Sequence, residues 1–372
     1  MNKENKVVLI SSNYAWTIFN FRMNLIKRLK KEGFKIIVFT QFDGYELEIK
    51  KEVDVIKNLF ISRKGINPLI DLITLFHYIK TFLVFKPSNI LLFTIKPVIY
   101  GSIAARLTDL NSISMITGLG TSFIKNTWLT RIVKRLYKFA LKSTKINFFQ
   151  NKDDMKIFVD NKLVKSSSCF ITPGSGIDLV KFKQRDLPNK KNIIFLFVGR
   201  LIKDKGIREF VDAARIIKKK FPDVHFQVLG PIGSENRTAI KPNELGKWKN
   251  EKVIEYLGVT DNTSYFLNRA TCIILPSYRE GTSRALLEAA AVGRPLIATD
   301  VPGCREIIDD SKSGYLCKAK DHLDLANKIE KMIMLPHDSR LTMGRNSRLK
   351  IEKEYDENIV LNLYIDEINK TL

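Results

Sequence analysis

The chain has 372 residues, 45% of them hydrophobic and 27% charged, with 62 Lys+Arg against 39 Asp+Glu and a formal net charge of +23. That length suits about two domains with ordinary cores and excludes a small binding module, while the hydrophobic content excludes a disordered chain. The four cysteines, Cys169, Cys272, Cys304 and Cys317, form no close pair of the redox or zinc type and fit a reducing cytoplasm as core or loop thiols.

The apolar run Val7-Val8-Leu9-Ile10 gives way to polar Ser11-Ser12-Asn13, too short for a signal-peptide core or a membrane span, so it reads as a first strand. Further strands are predicted over Lys35 to Thr40, Ile90 to Ile95, Ser112 to Thr117 and Ile146 to Gln150. Between them, Leu69 to Phe85 is the most apolar long segment, carrying Asp71, His77 and Lys80 between Pro68 and Pro87. It reads as a helix packed on a sheet, with part of it open to lipid as the alternative, and His77 has no partner spacing that would make it catalytic. Arg131, Lys134, Arg135, Lys138 and Lys142, interleaved with Trp128, Ile132, Val133, Leu136, Tyr137 and Phe139, form a basic amphipathic helix of the membrane-surface or partner-binding kind. A linker is expected in Asp178 to Asn192, where Lys181, Lys183, Arg185, Pro188, Asn189, Lys190 and Lys191 break the periodicity. Second-half strands are predicted over Ile193 to Val198, His225 to Leu229, Val253 to Leu257, Cys272 to Leu275 and Pro295 to Ala298. Strands that alternate with helices throughout argue for an α/β fold of parallel sheets.

The charge is uneven: residues 1–185 carry 31 Lys+Arg against 13 Asp+Glu, and the remainder 31 against 26. An anionic inner-leaflet surface, a nucleic acid or a plain solvated face are the competing explanations. Near an anionic membrane each basic residue adds roughly 1 kcal/mol, so a cluster suffices for peripheral attachment. No nucleic-acid-binding motif accompanies the basic helix, which disfavours nucleic acid.

Two stretches in the second half carry chemistry. Ile193 to Val198 runs into Gly199-Arg200-Leu201-Ile202-Lys203-Asp204-Lys205-Gly206 and then a helix, setting two cations at the carboxyl end of a strand, where open α/β sheets bind ligands. Arg200 and Lys205 there suit a departing diphosphate, although a basic loop is often only solvated. Glu280-Gly281-Thr282-Ser283 then opens a helix, and the N–H groups of Gly281, Thr282 and Ser283 suit an anion at its positive end. Glu288 lies about two turns beyond Glu280 at ~1.5 Å per residue, so the two acids reach opposite ends of one long ligand or are plain surface glutamates.

Gly199-Arg200-Leu201 with Lys205-Gly206, followed by the acid-x7-acid pair Glu280 and Glu288, resembles the retaining, two-domain glycosyltransferases of family 4 over nearly the whole chain. The resemblance implies the GT-B fold: two Rossmann-like doubly wound domains facing across a cleft. An acceptor domain over 1–180 and a nucleotide-sugar domain over 190–354 follow, with a C-terminal helix in 355–372 crossing back. It also implies that Arg200 and Lys205 neutralise the β-phosphate leaving group, that Glu280 holds donor-sugar hydroxyls and Glu288 the ribose, and that no metal is needed. Pro173-Gly174-Ser175-Gly176-Ile177-Asp178 resembles the family's interdomain loop.

In this family the N-terminal domain receives the acceptor. Phe19-Asn20-Phe21-Arg22-Met23-Asn24-Leu25, Thr94-Ile95-Lys96-Pro97 and Thr117-Gly118-Leu119-Gly120 look like the bacterial subgroup that builds O-antigen, capsule and related glycans. That likeness implies an undecaprenyl-diphosphate-linked saccharide acceptor contacted by Asn13, Arg22, Lys96 and Gly118, and a peripheral place on the inner face of the cytoplasmic membrane. The donor it implies is a UDP-sugar, an N-acetylhexosamine with GalNAc favoured. UDP-glucose, UDP-galactose or GDP-mannose, a sugar-nucleotide epimerase and a noncatalytic assembly partner are the alternatives. Two departures stand out: the first loop, Ser11 to Thr17, lacks the family's paired glycines, and Thr117 to Gly120 stands where many members place a His.

Overall fold

The computed structural model describes residues 6–62, 67–119, 128–142, 144–188, 192–233, 236 and 238–370. It divides into two compact units, one of Met1–Ser175 with Asn358–Leu372 and one of Gly176–Glu357.

The first unit is a seven-stranded sheet of β1 (Val7–Ser12), β2 (Lys35–Thr40), β3 (Val55–Asn58), β4 (Asn89–Phe93), β5 (Ser112–Ile116), β6 (Ile146–Phe149) and β7 (Cys169–Ile171). Every pairing is parallel, in the order β3-β2-β1-β4-β5-β6-β7. All five residues of β4 and of β5 are buried, the continuous run expected of strands covered on both faces. One face carries the helices Ala15–Phe21 and Met23–Lys31 and the end of the chain, where Val360, Tyr364, Ile365 and Ile368 are buried. The opposite face carries the helix Pro68–Phe85, the segment Pro97–Leu107 and the basic helix Trp128–Ala140, through Tyr78, Phe82, Ala104, Tyr137 and Ala140.

The second unit repeats the plan with β8 (Ile194–Val198), β9 (His225–Leu229), β10 (Glu255–Tyr256), β11 (Cys272–Leu275), β12 (Leu296–Thr299) and β13 (Gly314–Cys317). They are again all parallel, in the order β10-β9-β8-β11-β12-β13. The helices Ile207–Lys220 and Arg284–Ala291 each enter its core with one apolar stripe, for example Phe210, Val211, Ala214 and Ile217.

All ten predicted strands form. The three that sequence reading missed, β3, β7 and β13, are edge strands of three or four residues, too short or too polar to stand out. The linker expectation is corrected. Described residues 178–188 are fixed to the second unit: Phe182 and Leu187 are buried, Arg348 donates to the Phe182 carbonyl at 2.7 Å, and Arg294 donates to those of Arg185 and Asp186. A polar composition had suggested a free tether, but two buried guanidiniums satisfy its carbonyls. Asn189, Lys190 and Lys191 lie outside the described residues.

Candidate active site

In the second sheet the strand order reverses between β8 and β11, and in such sheets ligands bind beyond the carboxyl ends of the strands at that point. The turn after β8 is tied to the one after β9, because Gly199 and Leu201 donate to the carbonyls of Leu229 and Pro231, both at 3.0 Å. Arg200 lies exposed at its tip. The chain then turns through Lys203–Lys205 into Gly206, whose φ of 72° is left-handed. A Cβ on Gly206 would lie 2.0 Å from the Pro276 carbonyl oxygen, so glycine alone lets this turn settle on the one after β11.

That approach brings Lys205 Nζ to 2.5 Å from Glu280 Oε1, with the two side chains 20% and 12% exposed. Ser277 Oγ donates to the same carboxylate oxygen at 2.6 Å, and Thr299 at the end of β12 donates to the Ser277 carbonyl. Below them Glu280 donates its N–H to the Pro302 carbonyl at 3.0 Å. A Cβ on Gly303, at φ 80°, would meet the Glu280 and Gly281 backbone at 2.6 Å. The acid therefore sits on a backbone shelf, held by an ammonium and a hydroxyl.

The expected anion contact from Ser283 is corrected. Its N–H goes to the Gly303 carbonyl at 2.9 Å and its hydroxyl accepts from Leu286 N–H at 3.4 Å as the N-cap of Arg284–Ala291. Gly281 and Thr282 remain half-buried at that helix start. Glu288 Oε1 accepts from Arg284 Nε at 2.9 Å and Oε2 from Thr263 Oγ1 at 3.0 Å, while Arg284 Nη1 donates to the Gly176 carbonyl at 2.9 Å. Arg284 and Thr263 escaped the sequence reading. The i,i+4 spacing of Arg284 and Glu288 was a usable signal, whereas Thr263 comes from the helix Thr263–Arg269, 25 residues earlier.

Two neighbours, the Cys304 thiol and the Tyr278 phenol, stay neutral. Burial first and the Glu280 charge next push the Cys304 thiol well above its ordinary range, so it supplies no thiolate. Burial and then the Glu209 carboxylate, which accepts its hydroxyl at 2.5 Å, push the Tyr278 phenol upward.

In the first sheet the order reverses between β1 and β4. There Asn13 donates its N–H to Thr94 Oγ1 at 3.2 Å, and Thr94 adopts φ 71°, rare for a β-branched residue and a mark of functional sites. Ser12 Oγ and Asn13 Oδ1 are buried and lack a hydrogen-bond partner among the described residues, a cost that a bound polar group would relieve. Gly118, at φ 119°, follows β5 on the same carboxyl edge, and Gly120 lies outside the described residues.

Two expected acceptor residues turn inward. Lys96 Nζ is 2.6 Å from Asp71 Oδ1, with side chains 15% and 6% exposed, and the Tyr100 phenol, raised mainly by burial, also bonds to Asp71. Arg22 is 4% exposed, its guanidinium 4.1 Å from the centroid of the Phe93 ring. A helix-surface Arg and a turn Lys were expected to be reachable, but an apolar ring and a buried carboxylate draw them in. On the basic helix Arg131, Arg135 and Lys138 are exposed, whereas Lys134 is half-buried and donates to Asn161 Oδ1 at 2.8 Å; Lys142, expected on the same helix, is exposed in the turn after it, since the helix ends at Ala140.

The family model described as Glycosyl transferases group 1 matches residues 180–350, and Glycosyl transferase 4-like matches 6–151. The chain is 26% identical over 372 residues to the N,N'-diacetylbacillosaminyl-diphospho-undecaprenol alpha-1,3-N-acetylgalactosaminyltransferase of Campylobacter jejuni, covering 95% of this chain and 96% of that one. To the UDP-Gal:alpha-D-GlcNAc-diphosphoundecaprenol alpha-1,3-galactosyltransferase of Escherichia coli it is 27% identical, with 73% of each chain covered. Among solved structures, Anabaena HepE in complex with UDP and glucose superposes with a TM-score of 0.81 at 16% identity, over 99% of this chain and 100% of that one. The chain belongs to the family 4-like glycosyltransferases and has the GT-B fold.

Proposed function

We propose that this enzyme is a retaining transferase that moves an N-acetylhexosamine, GalNAc in the first instance, from its UDP-sugar to an undecaprenyl-diphosphate-linked saccharide during assembly of a bacterial surface polysaccharide. The observation that carries the reading is the cluster at the β8/β11 reversal, where Lys205 and Glu280 meet beside exposed Arg200 and a helix N-terminus. Breaking a glycosyl–diphosphate bond develops negative charge on the leaving oxygen, and preorganised cations together with a helix dipole stabilise it without a metal. In this reading Arg200 and Lys205 take the β-phosphate, Glu280 orders the sugar hydroxyls and Glu288, steadied by Arg284, the ribose. Acceptor attack and donor departure share one face of the sugar. Asn13 Oδ1 and the backbone at Gly118 serve the acceptor.

The GalNAc preference draws on the Campylobacter relative's name, and the Escherichia relative's name keeps galactose as the second reading. The same acceptor reading places the enzyme on the cytoplasmic face of the membrane. The test is a panel of UDP-sugars and GDP-mannose offered with a short-chain polyprenyl-diphosphate-GlcNAc or -GalNAc acceptor in EDTA, read by mass shift. Gain of one N-acetylhexosamine that vanishes in Glu280→Ala is expected. A hexose gain selects the second reading. Loss of transfer in EDTA overturns the metal-free step, and an altered sugar released without acceptor identifies an epimerase.

A further inference from the structure

The helix Pro68–Phe85 is built inside out. Asp71, Thr74 and Thr81 are buried beside Tyr78 and Phe82, while Leu69, Leu72, Ile73, Phe76, Leu83 and Val84 point outward together with His77 and Lys80, Leu69 being 74% and Phe76 60% exposed. The outward residues recur at three- and four-residue spacing, so they form one stripe with Lys80 as its only charge. Composition and length alone would let this helix cross a membrane. Its inner face prevents that. Asp71 is paired with Lys96, Thr74 donates to the Phe60 carbonyl at 2.9 Å, and the Tyr78 hydroxyl is 2.7 Å from Ser11 Oγ in β1. The helix is therefore pinned flat against the sheet with an apolar stripe facing out, the arrangement of an interfacial element.

The neighbouring surface says what the stripe meets. The segment Pro97–Leu107 and the basic helix Trp128–Ala140 share its side of the sheet, and their outward residues add Leu107, Trp128 and Phe139 together with Arg106, Arg131, Arg135 and Lys138. From residue 72 to 152 the sequence holds 12 Lys+Arg and one acid, Asp109. An apolar stripe inside a field of cations matches a bilayer with anionic headgroups, where acyl chains take the leucines and phosphates take the arginines.

We infer that the outward face of Pro68–Phe85 is the bilayer-seating surface of this enzyme, lying in the plane of an anionic phospholipid leaflet, with the segment Pro97–Leu107 packed against that helix and the basic helix packed on the other side of that segment. The inference rests on the reading of a lipid-linked acceptor, and it names the residues that would bring the enzyme to that substrate.

The full chain is floated with vesicles of phosphatidylglycerol and phosphatidylethanolamine, and separately with phosphatidylcholine. Salt-sensitive binding to the anionic vesicles is expected. Leu72→Ser/Phe76→Ser/Leu83→Ser should weaken it about 100-fold, as loss of apolar insertion predicts, and Arg131→Gln/Arg135→Gln/Lys138→Gln should weaken it by a similar factor on anionic vesicles. Transfer to a short-chain acceptor in solution should be unchanged in the serine variant, so failed transfer bears on the proposed function and failed flotation on this surface. Should the serine variant not fold, Phe76→Trp serves: brominated phospholipid is expected to quench the emission that this variant gains over the wild type. Wild-type flotation by the serine variant, no quenching of the emission gained in Phe76→Trp, or a dimer that the serine variant converts to a monomer without any flotation of the wild type would each overturn the assignment.

Discussion

The ammonium of Lys205 and the carboxylate of Glu280 lie 2.5 Å apart although 75 residues separate them in the chain. Neither is free in this geometry: each neutralises the other, and Ser277 shares the load. A ligand bringing phosphate to Lys205 and hydroxyls to Glu280 exchanges one ion pair for two charge-assisted contacts. Either Lys205→Ala or Glu280→Ala is expected to lower kcat by on the order of 10²–10³. The single variants should also unfold earlier than the double variant predicts by addition, because each leaves a partly buried charge uncompensated. A double-mutant cycle on thermal unfolding and on transfer rate checks both statements, and strict additivity of the two stability losses would show that the pair is not coupled.

Gly206→Ala tests the shelf on which that pair rests. Its left-handed backbone alone costs an L-residue about 1–3 kcal/mol, and the new Cβ would collide with the Pro276 carbonyl. The turn after β8 must then lift from the turn after β11, which separates Lys205 from Glu280. Lower stability together with lower transfer is expected, whereas Gly246→Ala, at a helical position where no atom lies within 4 Å of a Cβ, should leave transfer unchanged and raise stability by about 0.5–1 kcal/mol. Calorimetry and the mass-shift assay on both variants decide it.

Arg284 holds Glu288 through its Nε and reaches the Gly176 carbonyl through Nη1. With it removed, Glu288 keeps Thr263 alone among the described residues and swings more freely. Arg284→Ala is expected to raise the UDP-sugar KM about tenfold, the cost of a charge-assisted contact, with a smaller effect on kcat. Arg284→Lys should not restore it, since one ammonium cannot serve two directions as the guanidinium fork does. Steady-state kinetics over a range of donor concentrations separates the two parameters.

What the sequence displayed was what is local. Central strands such as Ile194–Val198 and Cys272–Leu275 are apolar runs because both faces are covered, so their burial was legible from composition. Edge strands such as Gly314–Cys317 are specified by one neighbour and carry little signal of their own. Arg200, Lys205 and Glu280 stood out because they sit where a strand meets a helix, and Glu288 because it follows Glu280 by eight residues on the helix that starts there. Partners were not legible: Lys96 seeks Asp71 and Arg22 seeks Phe93 through the fold, which turned two expected surface cations into interior ones. The three polar residues buried under Pro68–Phe85 were likewise hidden, since the hydropathy of that segment suggests the opposite orientation.

Tyr364 gives a pH prediction. Its ring lies 5.9 Å from that of Phe93 and 5.2 Å from that of Phe148, and its buried hydroxyl has no hydrogen-bond partner among the described residues. Burial pushes its phenol up to about 12 and the charge of Arg22 partly offsets the rise. The Cys317 thiol is likewise pushed up to about 12, chiefly by burial. In each case the unfolded chain releases the proton first as pH rises, so the unfolded state binds fewer protons than the folded one and stability falls. The stabilisation is complete below the unfolded values of 9.0 for the thiol and 10.0 for the phenol and is lost progressively toward pH 12. Thermal unfolding should therefore show a melting temperature that drops steadily above pH 9. Tyr364→Phe removes no hydrogen bond visible in the structure and is expected to cost little at pH 7 while flattening the fall above pH 10. An unchanged slope in that variant would mean that Tyr364 ionises as readily in the folded protein as in the unfolded one.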